Sequence, residues 1–477
     1  MDPLSRHPHF PPPPGPLRGE RTVNPRRRLA PLHPAPHLVP FPSPLPQSLT
    51  RSEPNWTGTH ALSVHVLPAA FPRAGTSPGG VPEVPAPDAF KNKAERVKWM
   101  GELSERMVWE KGQSDGPFPD AGARIRVEEK GLWSVVLRIR RKEGKKESGR
   151  KGVTLVATHP IGFHKETWEP LFKHLIQLTE SDSSAIRIEE IWSLEAFNHG
   201  DAALINGPYL PRLPDRSDYG RDLANFLLHH LPDSVDTLEK DLPFHLPRLA
   251  SATSSTHVKS GFADRTLVAL GHSLGGDATA VCGISYPKLF SALILMETTL
   301  FPPSRNSPKR RTTIILGTMG RRSWWDSREE AKKALLKSPL FQAFDPAVFD
   351  AYIEHGMYLD GKTGKVHLKC PPTAEASEYT ESRTMNEGWE LLPTLDDSVE
   401  LRWVMGGTDE ASNLVGGPAI ARLTVWRRPT NVSNVRIPGG GHLIVQEKPR
   451  EVAEDIALFL SRKYGSNGEE KKIQSKM

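Results

Sequence analysis

The chain has 477 residues, with 62 lysines and arginines against 56 aspartates and glutamates, for a formal net charge of +6. Its two cysteines, Cys282 and Cys370, stand far apart, which argues against a disulfide framework or a zinc site and for a reducing, intracellular setting. No run reaches the ~18 apolar residues of a membrane span, and no apolar stretch follows the early basic residues, so neither a span nor a secretory signal is expected.

Residues 1–60 are proline-rich with an arginine cluster at Arg26, Arg27 and Arg28, a composition that predicts a disordered tail. A polyproline ligand for SH3-like domains is the sharper reading of the same stretch. Seven arginines against Asp2, Glu20 and Glu53 place four of the six excess charges in this tail. No nucleic-acid-binding motif accompanies them, and DNA or RNA is discounted as a partner. Residues 61–465 are expected to form the folded domain and residues 466–477 a C-terminal tail. The basic run from Arg140 to Lys151 predicts a solvated hairpin loop between two strands. From Gly152 to Ala157 a β-rich run follows, and a loop containing His159, Pro160, Ile161 and His164 comes next. Without an acidic or cysteine partner at ligand spacing, those histidines predict no metal.

The stretch TLVALGHSLGG, Thr266 to Gly276, carries the chemistry. A short apolar run ends in Gly271-His272-Ser273-Leu274-Gly275 and runs on into an apolar helix, so the order is strand, tight turn, helix. Glycines on either side of Ser273 allow a strained turn that lifts its hydroxyl above a sheet, with a helix N-terminus behind it to favour developing negative charge. Ser273 is therefore the candidate nucleophile. The next apolar run, Ser291 to Met296, predicts the neighbouring parallel strand, with Glu297 at its C-terminal end. An insert of about 302–397 leaves the strand–helix alternation, with helices predicted from Arg328 and from Asp345-Pro346. Trp324, Trp325, Phe341, Phe344 and Tyr352 in this insert are candidates to line an acyl pocket, with lid packing the alternative for each. Lys309, Arg310, Arg311, Arg321 and Arg322 could grip phosphates, or form a solvated basic surface. The run Leu401 to Met405 predicts another strand, with Asp409 just beyond it. Val432 to Ile437 reads as the last strand, a glycine loop delivers His442, and an amphipathic helix with Val452, Ile456, Phe459 and Leu460 on one face ends the domain.

A serine hydroxyl needs a base, and His442 is the candidate. Either Glu297 or Asp409 could orient its other ring nitrogen, since both give the chain order serine, acid, histidine. Backbone N–H groups of Leu274, after the nucleophile, and Ile161, after the strand ending near Ala157, are the candidates to hold an oxyanion; Pro160 cannot donate.

The wording HPIGFHKETWEP, EIWSLEAFNHGDA, GHSLGG and PGGGHLIVQEKP, in that order, resembles the α/β-hydrolase superfamily. HPIGFHKETW and FNHGDA are narrower and resemble the fungal peroxisomal α/β hydrolases of AK-toxin and mycophenolic acid biosynthesis. The resemblance runs from about Ala61 to about Tyr464. It implies an α/β fold with a mostly parallel central sheet flanked by helices and a helical lid inserted after the strand ending at Glu297. It also implies that the acid following the strand after the nucleophile, here Glu297, completes the triad. The expected activity is a serine hydrolase acting on an acyl thioester or ester, acyl-CoA hydrolase-like, in fungal secondary metabolism. A lipase or general carboxylesterase is the alternative, and a non-catalytic binding protein on the same fold is another. The chemistry calls for no cofactor. Ser475-Lys476-Met477 resembles a variant of the S-K-L address read by the peroxisomal import receptor, which predicts a peroxisomal protein, with the cytoplasm as the alternative.

Overall fold

The computed structural model describes residues 7–13, 25–43, 45–75, 80–114, 130–142, 150–181, 184–233, 242–305, 307–407 and 417–465. In chain order the strands are β1 (Ser52–Glu53), β2 (His60–Pro68), β3 (Trp133–Arg141), β4 (Lys151–Thr158), β5 (Ile186–Glu195), β6 (Leu267–His272), β7 (Ala292–Met296), β8 (Trp324–Trp325), β9 (Met357–Leu359), β10 (Val366–Leu368), β11 (Glu400–Gly406) and β12 (Val432–Ile437). Nine of them form one sheet in the order β1-β2-β3-β5-β4-β6-β7-β11-β12. The first four are antiparallel neighbours, and every pairing from β5 to β12 is parallel.

Parallel strands covered on both faces are apolar along their length rather than alternating. β6 and β7 are buried throughout. Alternate side chains still part to opposite faces. Val268 and Leu270 join Leu171, Phe172, Val452 and Ile456 under the helices Glu169–Thr179 and Pro449–Gly465. Leu267 and Ala269 join Leu223, Leu227 and Ala278 under the helices Ser217–His229 and Leu274–Ser285.

Two expectations need correction. The basic run after β3 does not join a hairpin, because β5 lies between β3 and β4 in the sheet; its residues 143–149 lie outside the described residues. The tail expected over residues 1–60 is docked where it is described. Leu49 and Trp56 are buried, β1 pairs with β2, and Arg26 ion-pairs with Asp215 and Glu387 at 2.8 Å each. Arg221 donates to the carbonyls of Ala30 and Pro31, so a segment with few N–H groups of its own is held through its carbonyls. Low apolar content keeps a segment from building a core of its own, but does not stop it binding to one already made.

The insert between β7 and β11 is not purely helical. β8, β10 and β9 form a small antiparallel sheet within it. Ser327 caps the helix Arg328–Leu335 by accepting from Glu330 N–H, and Asp345 caps Pro346–His355 by accepting from Ala347 and Val348 N–H.

Candidate active site

Ser273 links β6 to the helix Leu274–Ser285 with φ 52° and ψ −119°, a left-handed backbone that is rare outside glycine. Its N–H donates to the Met296 carbonyl at 3.0 Å, tying the turn to β7. The flanking glycines are demanded by close approach. A Cβ on Gly271 would come within 2.6 Å of Gly276 Cα, and one on Gly275 would press into the Thr158 carbonyl at the end of β4.

The glycine loop after β12 brings His442 over this turn. Its Nε2 lies 3.0 Å from Ser273 Oγ, and its Nδ1 lies 3.4 Å from Glu297 Oε2. A carboxylate only accepts, so Nδ1 carries the ring proton and Nε2 is the acceptor facing the serine. Glu297 is fully buried at the end of β7, and its Oε1 accepts the Gly406 N–H at 2.7 Å. Asp409 lies outside the described residues.

Sequence reasoning passed over His272. Its Nε2 donates to the His442 carbonyl at 2.8 Å, while Nδ1 has no hydrogen-bond partner among the described residues. Burial, reinforced by the neighbouring His442, pushes His272 down to about 3, so it stays neutral.

The loop after β4 spends its backbone donors in a telling way. His159 N–H donates to Tyr219 Oη at 3.1 Å, Gly162 N–H to His199 Nε2 at 3.0 Å, and Phe163 N–H to the Pro160 carbonyl at 3.3 Å. Pro160 has no N–H. Ile161 is left as the N–H of residues 159–163 with no partner among the described residues. Leu274 opens the nucleophile helix, where N–H groups have no intrahelical acceptor. His159 and His199 are spent on shaping this loop. His159 Nε2 accepts the Ala196 N–H and Nδ1 donates to the Pro160 carbonyl, while His199 Nδ1 donates to Asn198. Burial pushes His159 to about 3 and His199 well below its ordinary value.

Lys165, Glu166 and Asp201 of the same two motifs belong to a buried ion cluster with Glu195 and Lys369. Lys165 Nζ reaches Asp201 at 2.6 Å, Glu166 at 2.8 Å and Glu195 at 3.3 Å; Lys369, from the insert, also reaches Asp201 at 2.6 Å. All five side chains are nearly or fully excluded from solvent. Desolvation opposes the Lys165 charge, but Asp201, Glu166 and Glu195 together hold its ammonium well above its usual range. Burial pushes Glu195 up to about 8.

Above the loop sits an apolar cluster of the insert: Trp325, Phe341, Phe344, Val348, Tyr352 and Ile353, with Phe163 from the loop and Leu443 packed against it. Phe163 meets Phe344 and Tyr352 at centroid distances of 5.8 and 5.7 Å. A small cleft, partly open to solvent, lies between loop and insert. Gly162, Phe163, Arg321, Tyr352, Cys370 and Glu375 are among its walls. Trp324, Trp325 and Phe341 do not line it: Trp325 and Phe341 are lid packing, and Trp324 is 46% exposed with Arg322 and Lys365 over its ring. Of the basic insert residues, Arg321 is committed to Glu375 and Arg322 to Glu330.

Residues 155–455 match the alpha/beta hydrolase family, and the chain belongs to it. It is 27% identical over 205 residues to a type I acyl-CoA thioesterase of Penicillium brevicompactum, an alignment covering 43% of this chain and 39% of that protein. The chain thus spans about two fifths of the length of that relative. It is also 27% identical over 224 residues to an abhydrolase domain-containing protein of Alternaria alternata, covering 41% of this chain and 83% of the other. The solved structure of the peroxisomal alpha-beta-hydrolase Lpx1 of Saccharomyces cerevisiae shares the fold, with a TM-score of 0.59 and 16% identity over 86% of this chain and 90% of that one.

Proposed function

We propose that this chain is a serine hydrolase of acyl thioesters or esters, with Ser273 as nucleophile, His442 as general base and Glu297 as the carboxylate that orients it. The observation that carries this reading is the continuous chain from Ser273 Oγ through His442 Nε2 and Nδ1 to Glu297 Oε2, at 3.0 and 3.4 Å. His442 takes the serine proton as Oγ attacks the acyl carbonyl, and the Ile161 and Leu274 N–H groups receive the oxyanion. The imidazolium, stabilised by Glu297, protonates the leaving thiol or alcohol. Water deprotonated by the same histidine then releases the acid and restores Ser273.

An acyl-CoA thioester is the favoured substrate class, supported by the likeness to the Penicillium thioesterase. A role in fungal secondary metabolism is the proposed setting for this activity. The C-terminal Ser475-Lys476-Met477, which lies outside the described residues, is proposed as a peroxisomal address. Hydrolysis of acyl-CoAs of several lengths beside matched p-nitrophenyl esters, with Ser273→Ala as control, tests the activity. Ser273-dependent turnover favouring the CoA thioesters is expected; turnover of the esters alone would leave a carboxylesterase. Deleting the last three residues should turn a punctate tagged protein diffuse, and persistent puncta would remove the address.

A further inference from the structure

β12 is the outer strand of the large sheet, and an outer strand presents unpaired backbone groups that invite another chain. Residues 8–12, PHFPP, lie along it, with the Phe10 N–H and the carbonyls of Pro8, Phe10, Pro11 and Pro12 all answered. Arg436 N–H, on β12, donates to the Pro8 carbonyl at 2.6 Å. Asn434, also on β12, accepts the Phe10 N–H at 2.7 Å and returns its amide to the Phe10 carbonyl at 3.2 Å. Trp426 Nε1 donates to that same carbonyl at 2.9 Å. Arg422, on the helix Pro418–Val425, donates to the Pro11 carbonyl at 2.9 Å and the Pro12 carbonyl at 2.6 Å. The Phe10 ring is buried, with the Arg436 guanidinium 4.6 Å from its centroid.

This donor set has a chemistry. A proline-rich segment has carbonyls and almost no N–H groups, so a surface that recognises it supplies donors and an aromatic wall. Arg422, Trp426, Arg436 and Asn434 supply donors to the carbonyls of Pro8, Phe10, Pro11 and Pro12, and Asn434 alone of the four accepts, at the one N–H that Phe10 presents. We propose that this surface is a recognition site for an extended Phe-Pro-Pro peptide, and that residues 8–12 are its resident ligand, bound in cis. The site is independent of the hydrolytic reading.

The test uses the full chain with its own ligand disabled, Phe10→Ala/Pro11→Ala/Pro12→Ala, and a fluorescein-labelled peptide of residues 7–13 followed by anisotropy. Saturable binding to this variant is expected, with the unaltered chain at least about tenfold weaker because its tethered segment competes at high effective concentration. Adding Trp426→Phe and Arg422→Ala to the variant should abolish the binding. Absence of saturable binding to the folded variant, or equal binding to the unaltered chain, overturns the proposal. Should the triple variant fail to fold, amide exchange at Phe10 decides. Protection in the unaltered chain that falls tenfold or more in Arg422→Ala supports the site, and an unprotected Phe10 amide overturns it.

Discussion

Glu297 and Gly406 are joined across the ends of neighbouring parallel strands, the carboxylate Oε1 accepting the glycine N–H at 2.7 Å so that Oε2 is left to face His442. One oxygen is fixed by backbone and the other serves the histidine. Glu297→Gln should keep the fold and lower kcat by about 10²- to 10⁴-fold, as loss of a triad carboxylate does. Asp409→Asn should change it little. Steady-state kinetics on both variants checks the assignment, and the opposite pattern moves the acid to Asp409.

His272 is buried and holds the His442 backbone through its carbonyl. His272→Phe removes the donor to the His442 carbonyl and should lower kcat by roughly tenfold, about 1.4 kcal/mol, with KM unchanged. His272→Gln, which keeps an N–H, should restore part of the loss. A change in KM alone would mean that His272 does not position the base.

Gly275 abuts the Thr158 carbonyl, and Ile161, the proposed oxyanion donor, lies three residues further along. Gly275→Ala should therefore push the β4 loop away from the serine and cost roughly 10²-fold in kcat. Fluorophosphonate labelling of Ser273 should slow in parallel. Unchanged labelling would show that the loop does not depend on this contact.

Asp201 faces two buried ammonium groups, Lys165 and Lys369. Asp201→Ala leaves both short of a counter-charge and should destabilise the protein by about 3–5 kcal/mol. Urea unfolding measures this, and a loss below about 1 kcal/mol would mean that the cluster is solvated in solution.

Acid should weaken the fold through its buried neutral histidines. His159 and His272 are pushed to about 3, and His60, His65, His230 and His355 to about 4. With depressed values in the folded state and about 6.5 in the unfolded chain, each binds a proton only on unfolding within that window. Each then removes about 1.4 kcal/mol of stability per pH unit as pH falls below about 6.5. The raised carboxylates Asp277 (about 6) and Glu195 (about 8) act with the opposite sign but are fewer than these histidines. A melting temperature that falls between pH 6.5 and 4.5 is expected; a flat profile would show that the histidines are hydrated.

The proximity of Ser273, His442 and Glu297 was legible because each ends a recognisable strand or follows a glycine turn. The choice between Glu297 and Asp409 was not, since β7 and β11 are parallel neighbours with Met296 opposite Val404, and both deliver their next residues to one rim. The ion cluster was hidden for another reason. Asp201 and Lys369 stand 168 positions apart, and nothing local tells a buried charge from a solvated one. Strand order was likewise invisible, because β3 and β4 follow each other in the chain while β5 separates them in the sheet. The docked residues 25–60 were misjudged because composition reports whether a segment can build a core, not whether a finished surface will hold it.

Lys369 rivets the insert to Asp201 in the body, and beside it Arg321 grips Glu375 over Gly162. Where Phe344 and Tyr352 rest on Phe163, the contact is between rings, which part at far less cost than buried ions. The insert is thus pinned to the body by charge at Lys369 and by ring packing at Phe163. Under the proposed function, an acyl chain would enter on the aromatic side, where the contacts part at least cost.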